Sequence, residues 1–544
     1  MKTRYITLLT VLLTAMASMA QVINDTINRM VLVESTYNPI IAGAVKRNFI
    51  PEEVKPTMNK EQVVYASENV DLTNFDREAM PAHAVAVVPE KGMPGYAHLG
   101  YGNYNNLSGL AAYKLRLNER NDWAIKAHID GWNGKLRLDD NTQWRSRLYD
   151  MGLETEYNTQ MGDVALNIGG HAAYYNYNYL TGADFAGATA VQSAYDLGAH
   201  IGLKGSAGEN YYYQANLGYS HFGRSTYFAA KVPHGEGQLH IDASLGRDLY
   251  NWGMAKLMVS SDVLAYQGVE EYRNYHALAI TPRWDYRHGN FLFVTGFNLD
   301  FLTGKNVGKP VLASPECSIS YVPDGRFTAK LTLDGGRDIN TFSSLYALSP
   351  YWGAESQVAP TYTLVNAYLE ANMRIAEGLH LHFGGGYKVL SDALFETVMD
   401  SVGTTYTGIT NHNAQVVGLD AALGYNYKDL VSFSAKGAYQ YWMLKGDQAL
   451  LARAPQLKID MDARVRIIPK LYAYTDLQIV SFTNTKVADR ERAIVDWSLG
   501  ANYALNKQFS FFLDAHNLLN HRHSYFMGYP AQGFNVLVGA MCKF

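Results

Sequence analysis

The side chains most capable of chemistry in this chain fall in three places. His521, Arg522 and His523 stand together with Tyr525 and Phe526, a grouping that could touch a ligand or a metal, with a solvated loop as the default reading. Asp514 and His516 lie two residues apart, which on a strand puts both on one face. Asp460 and Asp462 have the same spacing and would suit calcium. Lys458, Arg464 and Arg466 share their face, however, and would compete for the carboxylates. Ser220 and His221 are adjacent, so on a strand they point to opposite faces and cannot act as nucleophile and base. Barrel hydrolases use Ser, His and Asp on their strands, but His128, His516 and Asp514 have no spacing that demands catalysis. No phosphate-cradling glycine loop, H-E-x-x-H, C-x-x-C or G-x-S-x-G stretch is present. No enzyme, metal or cofactor is expected.

These residues sit in a repeated two-residue alternation. Leu457, Ile459, Met461, Ala463, Val465 and Ile467 alternate with Lys458, Asp460, Asp462, Arg464 and Arg466. Val495, Trp497, Leu499, Ala501 and Tyr503 alternate with Asp496, Ser498, Gly500 and Asn502. Trp123, Ile125, Ala127 and Ile129 alternate with Lys126, His128 and Asp130. A helix would scatter the charges around its axis, whereas a strand keeps them on one side. The polar set Lys126, His128, Asp130, Lys458, Asp460, Asp462, Arg464, Arg466, Asp496, Asp514 and His516 is therefore expected to line a wet interior. The C-terminal strand places Phe534, Val536, Val538, Ala540, Cys542 and Phe544 on the opposite, greasy face, with a terminal aromatic as an outer-membrane assembly signal.

Lys2 and Arg4, the apolar stretch at 6–17 and the small residues Ser18 and Ala20 read as a secretory signal ending near Ala20. The 544 residues are 48% hydrophobic and include 40 Tyr, yet after the signal no apolar run approaches the ~18–20 residues a spanning helix needs. An exported hydrophobic chain of this kind is either a large secreted β protein or a barrel in a membrane, where closure satisfies every backbone group in lipid. The net charge of -4 points to no nucleic acid, and export argues against one. Cys317 and Cys542 are too few for a disulfide framework.

Breaks between segments alternate in character. Short turns such as 160–163, 206–210, 287–290, 323–326, 376–378 and 506–508 are mostly rich in turn formers, Gly, Asn, Asp and Pro. The intervening breaks are mostly longer: 132–142, 178–189, 337–357, 400–413, 446–454 and 517–532. Short periplasmic turns and long outer loops are the barrel pattern. The fold class is all-β, a transmembrane antiparallel barrel of about 22 strands over residues 94–544. It follows a signal peptide at 1–20 and a short periplasmic or lumen-inserted segment at 21–93.

Asn517-Leu518-Leu519-Asn520, then Gly528-Tyr529-Pro530 with Gly533, then the terminal strand resemble the end of TonB-dependent receptor barrels. Tyr37-Asn38-Pro39 with residues 45–49, and residues 99–104, are similar to plug-less receptor-like barrels of the Bacteroidetes type. The resemblance implies an outer-membrane location, contact with outer-membrane lipids and the assembly machinery, and passage of a solute or polymer. The alternative is a non-transporting structural subunit of an assembly or secretion complex. Receptors of that family carry a plug domain far longer than residues 21–93, so TonB-driven uptake is not carried over. The 21–93 segment would instead fill the lumen or dock other outer-membrane or periplasmic proteins.

Overall fold

The computed structural model describes residues 93–544 except 139, 182–189, 226–233, 268–271, 305–307, 402 and 484–490. The expected signal peptide and the 21–92 stretch lie outside the described residues. Among the described residues there is one sheet of 24 strands; Leu180–Thr181 and Trp352–Gly353 are two-residue strands in outer loops, leaving a 22-strand wall. Neighbours in the wall are antiparallel. The first strand, Gly95–Gly102, pairs with the last, Asn535–Lys543, with Leu99 opposite Ala540, and so closes the cylinder.

Alternation sets the two faces. Leu99, Leu153, Ile168, Leu217, Leu257, Leu369, Phe383, Leu419, Leu499 and Val538 are exposed on the outside although large and apolar. A belt of this kind around a closed sheet is a lipid contact. Polar side chains of opposite parity line the inside, where neighbouring strands leave them room. His128 lies over Gly152, His171 over Gly198 and His200 over Gly169; a Cβ on these glycines would stand 2.2, 2.2 and 2.3 Å from an imidazole carbon.

Periplasmic turns are tight. Gly162 adopts a left-handed φ of 61° between the strands ending at Met161 and starting at Val164, a conformation that favours glycine. The outer side departs from the sequence expectation in two places. The stretch at 400–413 is mostly strand: the ladder between Leu379–Ser401 and Thr404–Tyr427 runs on through the polar residues until Ser401 stands opposite Thr404. Residues 132–142 are likewise mostly strand, with only 138–142 outside Asn121–Arg137 and Gln143–Met161. Backbone pairing continues above the lipid because it needs no apolar side chains, and β-branched Thr404, Thr405, Thr407 and Thr410 suit it.

Candidate functional site

The eleven residues expected to line a lumen lie on wall strands at the parity opposite to exposed apolar neighbours such as Trp123, Met461, Trp497 and Leu513, and they are distributed around the wall rather than gathered at one site. Lys126 pairs with Glu154 at 3.3 Å, and His128 Nε2 lies 3.3 Å from Asp150 on the next strand. Asp130 follows on the same inward parity. Lys458 pairs with Asp460 at 3.2 Å, and Asp460 also accepts from Gln478 at 3.0 Å. Asp462 and Arg464 stand opposite Asp476 and Tyr474, while Arg466 reaches Asp429 in a periplasmic turn. Tyr474 donates to Asp514, and Ser498 Oγ is 3.0 Å from His516 Nδ1, so Asp514 and His516 share a face with separate partners.

The same parity carries polar groups that sequence reasoning did not single out. His171 lies 3.4 Å from Asp196, and His382 lies 2.7 Å from Asp420. His240 bridges Asp242 at 2.5 Å and Asp262 at 2.7 Å. Lys256 and Arg283 both meet Asp285, at 2.8 and 2.6 Å. Strand parity was the available signal; the cross-strand register that joins each pair was not. Part of this wall, including Asp262, Asn298, Asp300, Glu316 and Arg337, borders a cavity of about 370 Å³. Among the described residues no group of three or more His, Cys, Asp or Glu is placed to hold a metal ion.

The outer end of the lumen is covered. Residues 339–360 leave the wall after Phe327–Asp338, form the short helix α1 (Phe342–Leu348) and return at Thr361–Ala376. Thr341 caps α1 by accepting from the Ser344 N–H at 3.1 Å. Instead of standing above its own strands, this segment crosses to the facing wall. The Phe342 N–H donates to Glu236 at 2.7 Å, and the Ser343 hydroxyl donates to Asp196 at 2.6 Å. Tyr346 packs on Tyr175 with ring centroids 4.2 Å apart. Arg224 lies 4.7 Å over the Trp352 ring and donates to the Trp352 carbonyl at 3.2 Å. Trp352–Gly353 then pairs in parallel with Thr407–Gly408.

Residues 517–534 complete the cover. Tyr529 donates to the Thr405 carbonyl, and Tyr525 donates to Asp496 at 2.5 Å. Arg453, itself beside Glu396 at 3.6 Å, donates to the Ser524 carbonyl at 3.0 Å and to that of Tyr525. Reading 521–526 as a solvated loop is therefore corrected for two of its residues: His523 is 4% exposed and Phe526 joins the buried cluster of Phe342, Leu345, Tyr351 and Trp352, while Arg522 stays exposed. Burial holds the His523 imidazole down to about 4 and raises the Tyr346, Tyr525 and Tyr529 hydroxyls well above their ordinary range. The cover is thus a neutral aromatic core wrapped around a few polar ties, set on top of a charged lumen.

No protein-family model matches this chain, and no curated protein does. Among solved structures it is similar to the FrpB iron transporter from Neisseria meningitidis (F5-1 variant), with a TM-score of 0.64, 10% identity, and coverage of 84% of this chain and 83% of that one. The siderophore receptor PirA from Acinetobacter baumannii gives a TM-score of 0.60 and 10% identity, covering 83% and 80%. The copper transporter OprC gives 0.61 and 12%, covering 84% of each chain. At these identities the likeness is one of fold. The chain is an outer-membrane β-barrel with the architecture of these transporters and receptors.

Proposed function

We propose that this barrel serves the passage of a hydrophilic solute across the outer membrane, with residues 339–360 and 517–534 as the closure that must yield. The observation that carries this reading is the contrast between the two layers. Inside the wall, ion pairs such as Lys126–Glu154 and Lys458–Asp460 keep a polar path. Across its mouth lies a cover made of loops and not of wall, tied down by a handful of hydrogen bonds. A 22-strand barrel is too wide for its own inward side chains to fill, so loops decide whether it is open. That the similar FrpB is an iron transporter and OprC a copper transporter supports the same reading.

The test is conductance of the full chain in planar bilayers, and swelling of liposomes in hydrophilic solutes, before and after loosening the cover. Low conductance that rises when Tyr351 and Tyr529 are truncated supports passage. An unchanged, silent barrel with a loosened cover would rule it out. The dense packing of the cover, with Phe342, Leu345, Tyr351 and Trp352 each 1% exposed, also fits a second reading: a permanently sealed structural subunit. A silent barrel that purifies with stoichiometric partners would establish that alternative.

A further inference from the structure

The hairpin formed by Asn121–Arg137 and Gln143–Met161 carries two different outer surfaces. Along its second strand the outward positions from Tyr157 to Tyr149 include Leu153 and Met151, a stretch of ~9 residues that matches the ~9–11 residues of a tilted span. Along its first strand the outward positions are Trp123, Ile125, Ala127 and Ile129. Immediately beyond this apolar belt, on the same outward face, come Arg147 and Arg145 on one strand and Lys135 and Arg137 on the other.

The register makes this a compact cluster. Lys135 lies directly opposite Arg145, while Arg147 and Arg137 occupy the flanking diagonal positions. Directly opposed Cβ atoms in an antiparallel pair are about 4.5–5.5 Å apart, and like charges there are destabilising. Among the described residues none of the four makes an ion pair. Their hydrogen-bond partners are neutral amides, Asn133 for Arg145 at 2.9 Å and Asn176 for Arg147 at 3.4 Å. The nearby carboxylate of Asp140 is engaged by Thr142, at 2.9 Å from its N–H and 2.6 Å from its hydroxyl. Lys135, Arg137 and Arg145 are exposed and Arg147 half-buried, whereas Leu136, Trp144, Ser146 and Leu148 between them are buried on the inner face.

We infer that Lys135, Arg137, Arg145 and Arg147 form a binding site for the phosphate-bearing headgroup of an outer-leaflet lipid. The cations begin one outward position above the belt's last aromatic, Tyr149, which is the depth of a headgroup. Guanidinium groups hold phosphate oxygens in paired hydrogen bonds, and a clustered set neutralises more than one phosphate. A headgroup seated there removes the repulsion that the bare cluster carries. It also braces a hairpin whose inner face meets the cover, where Trp144 packs edge-on against Tyr529 at 5.6 Å.

The test uses the full chain in mild detergent, its folded state checked by heat-modifiable gel mobility. The probes are fluorescent bisphosphorylated lipid A, its dephosphorylated form and inorganic phosphate. The wild type is expected to prefer the bisphosphorylated lipid, and the variant K135Q/R137Q/R145Q/R147Q to bind it about tenfold more weakly or worse. Arg145→Gln alone should give a smaller loss in the same direction. Equal affinity of the quadruple variant and the wild type overturns the site. So does equal binding of the two lipids by the wild type. Displacement of the lipid by inorganic phosphate at matched phosphate concentration overturns the lipid assignment, since it marks a site for a free anion.

Discussion

Tyr351 and Tyr529 stack face to face, with ring centroids 3.5 Å apart and planes 6° apart, and this contact joins the two loops that cover the lumen. One ring comes from the loop that crosses from the opposite wall, the other from the loop before the last strand. Burying and stacking a ring of this size is worth roughly 3–5 kcal/mol against truncation. Tyr351→Ala and Tyr529→Ala are expected to loosen the cover without unfolding the wall. The check is amide hydrogen exchange: faster exchange confined to 339–360 and 517–534 is the expected outcome, and global loss of protection would contradict it.

The cover should respond to acid. His523 has a folded value of about 4 because burial disfavours its charged form, against an ordinary value of about 6.5 when its loop is released. Above pH ~6.5 the imidazole is neutral in both states and imposes no penalty. As pH falls from ~6.5 toward ~4 the released loop takes a proton that the packed one does not, so opening is favoured by on the order of 2–3 kcal/mol at the acid end. Protease cleavage after Arg522 should accelerate across that window. His523→Gln should flatten the profile, and an unchanged acid response in that variant would place the titrating group elsewhere.

Space for the inward imidazoles is built into the neighbouring strand. Gly152→Val would put its Cβ 2.2 Å from the His128 ring. Overpacking of this sort costs about 1–3 kcal/mol. A lowered urea midpoint by tryptophan fluorescence is expected, with recovery in the double variant that adds His128→Ala. Failure of the second change to restore the midpoint would show that the glycine serves the backbone and not the histidine.

Phe544 has a packing role that accompanies its proposed role as an assembly signal. Its ring stacks on Tyr113 at 6.0 Å and occupies the place where a Cβ on Gly95 would stand, 2.3 Å from its Cε2. Phe544→Ala should reduce the folded fraction recovered from outer membranes, and Phe544→Trp should retain most of it. Equal recovery of the alanine variant would remove the residue from both roles.

Much of the wall could be read from residue order, because a strand's face follows from parity alone. The alternation around Lys458 and Asp460, or around Trp123 and His128, needs no knowledge of neighbours, and turns such as 160–163 announce themselves by composition. The cover could not be read this way. Phe342, Tyr346 and Trp352 look like aromatic residues in a long loop, and their destinations on Phe222, Tyr175 and Arg224 depend on how a closed cylinder brings distant strands face to face. His523 was misjudged for the same reason, since polar residues in a loop default to water until something folds over them. Partners such as Asp150 for His128 required the register, which the sequence does not state.

The span of the 339–360 segment has a temporal consequence. Its ties to Asp196, Arg224 and Glu236 reach residues more than a hundred positions earlier in the chain, and its stack on Tyr529 waits for the far end of the polypeptide. The ties to earlier strands need only residues already made by then, but the Tyr351–Tyr529 stack needs the loop that precedes the last strand, so the cover is completed by the final stretch of the polypeptide.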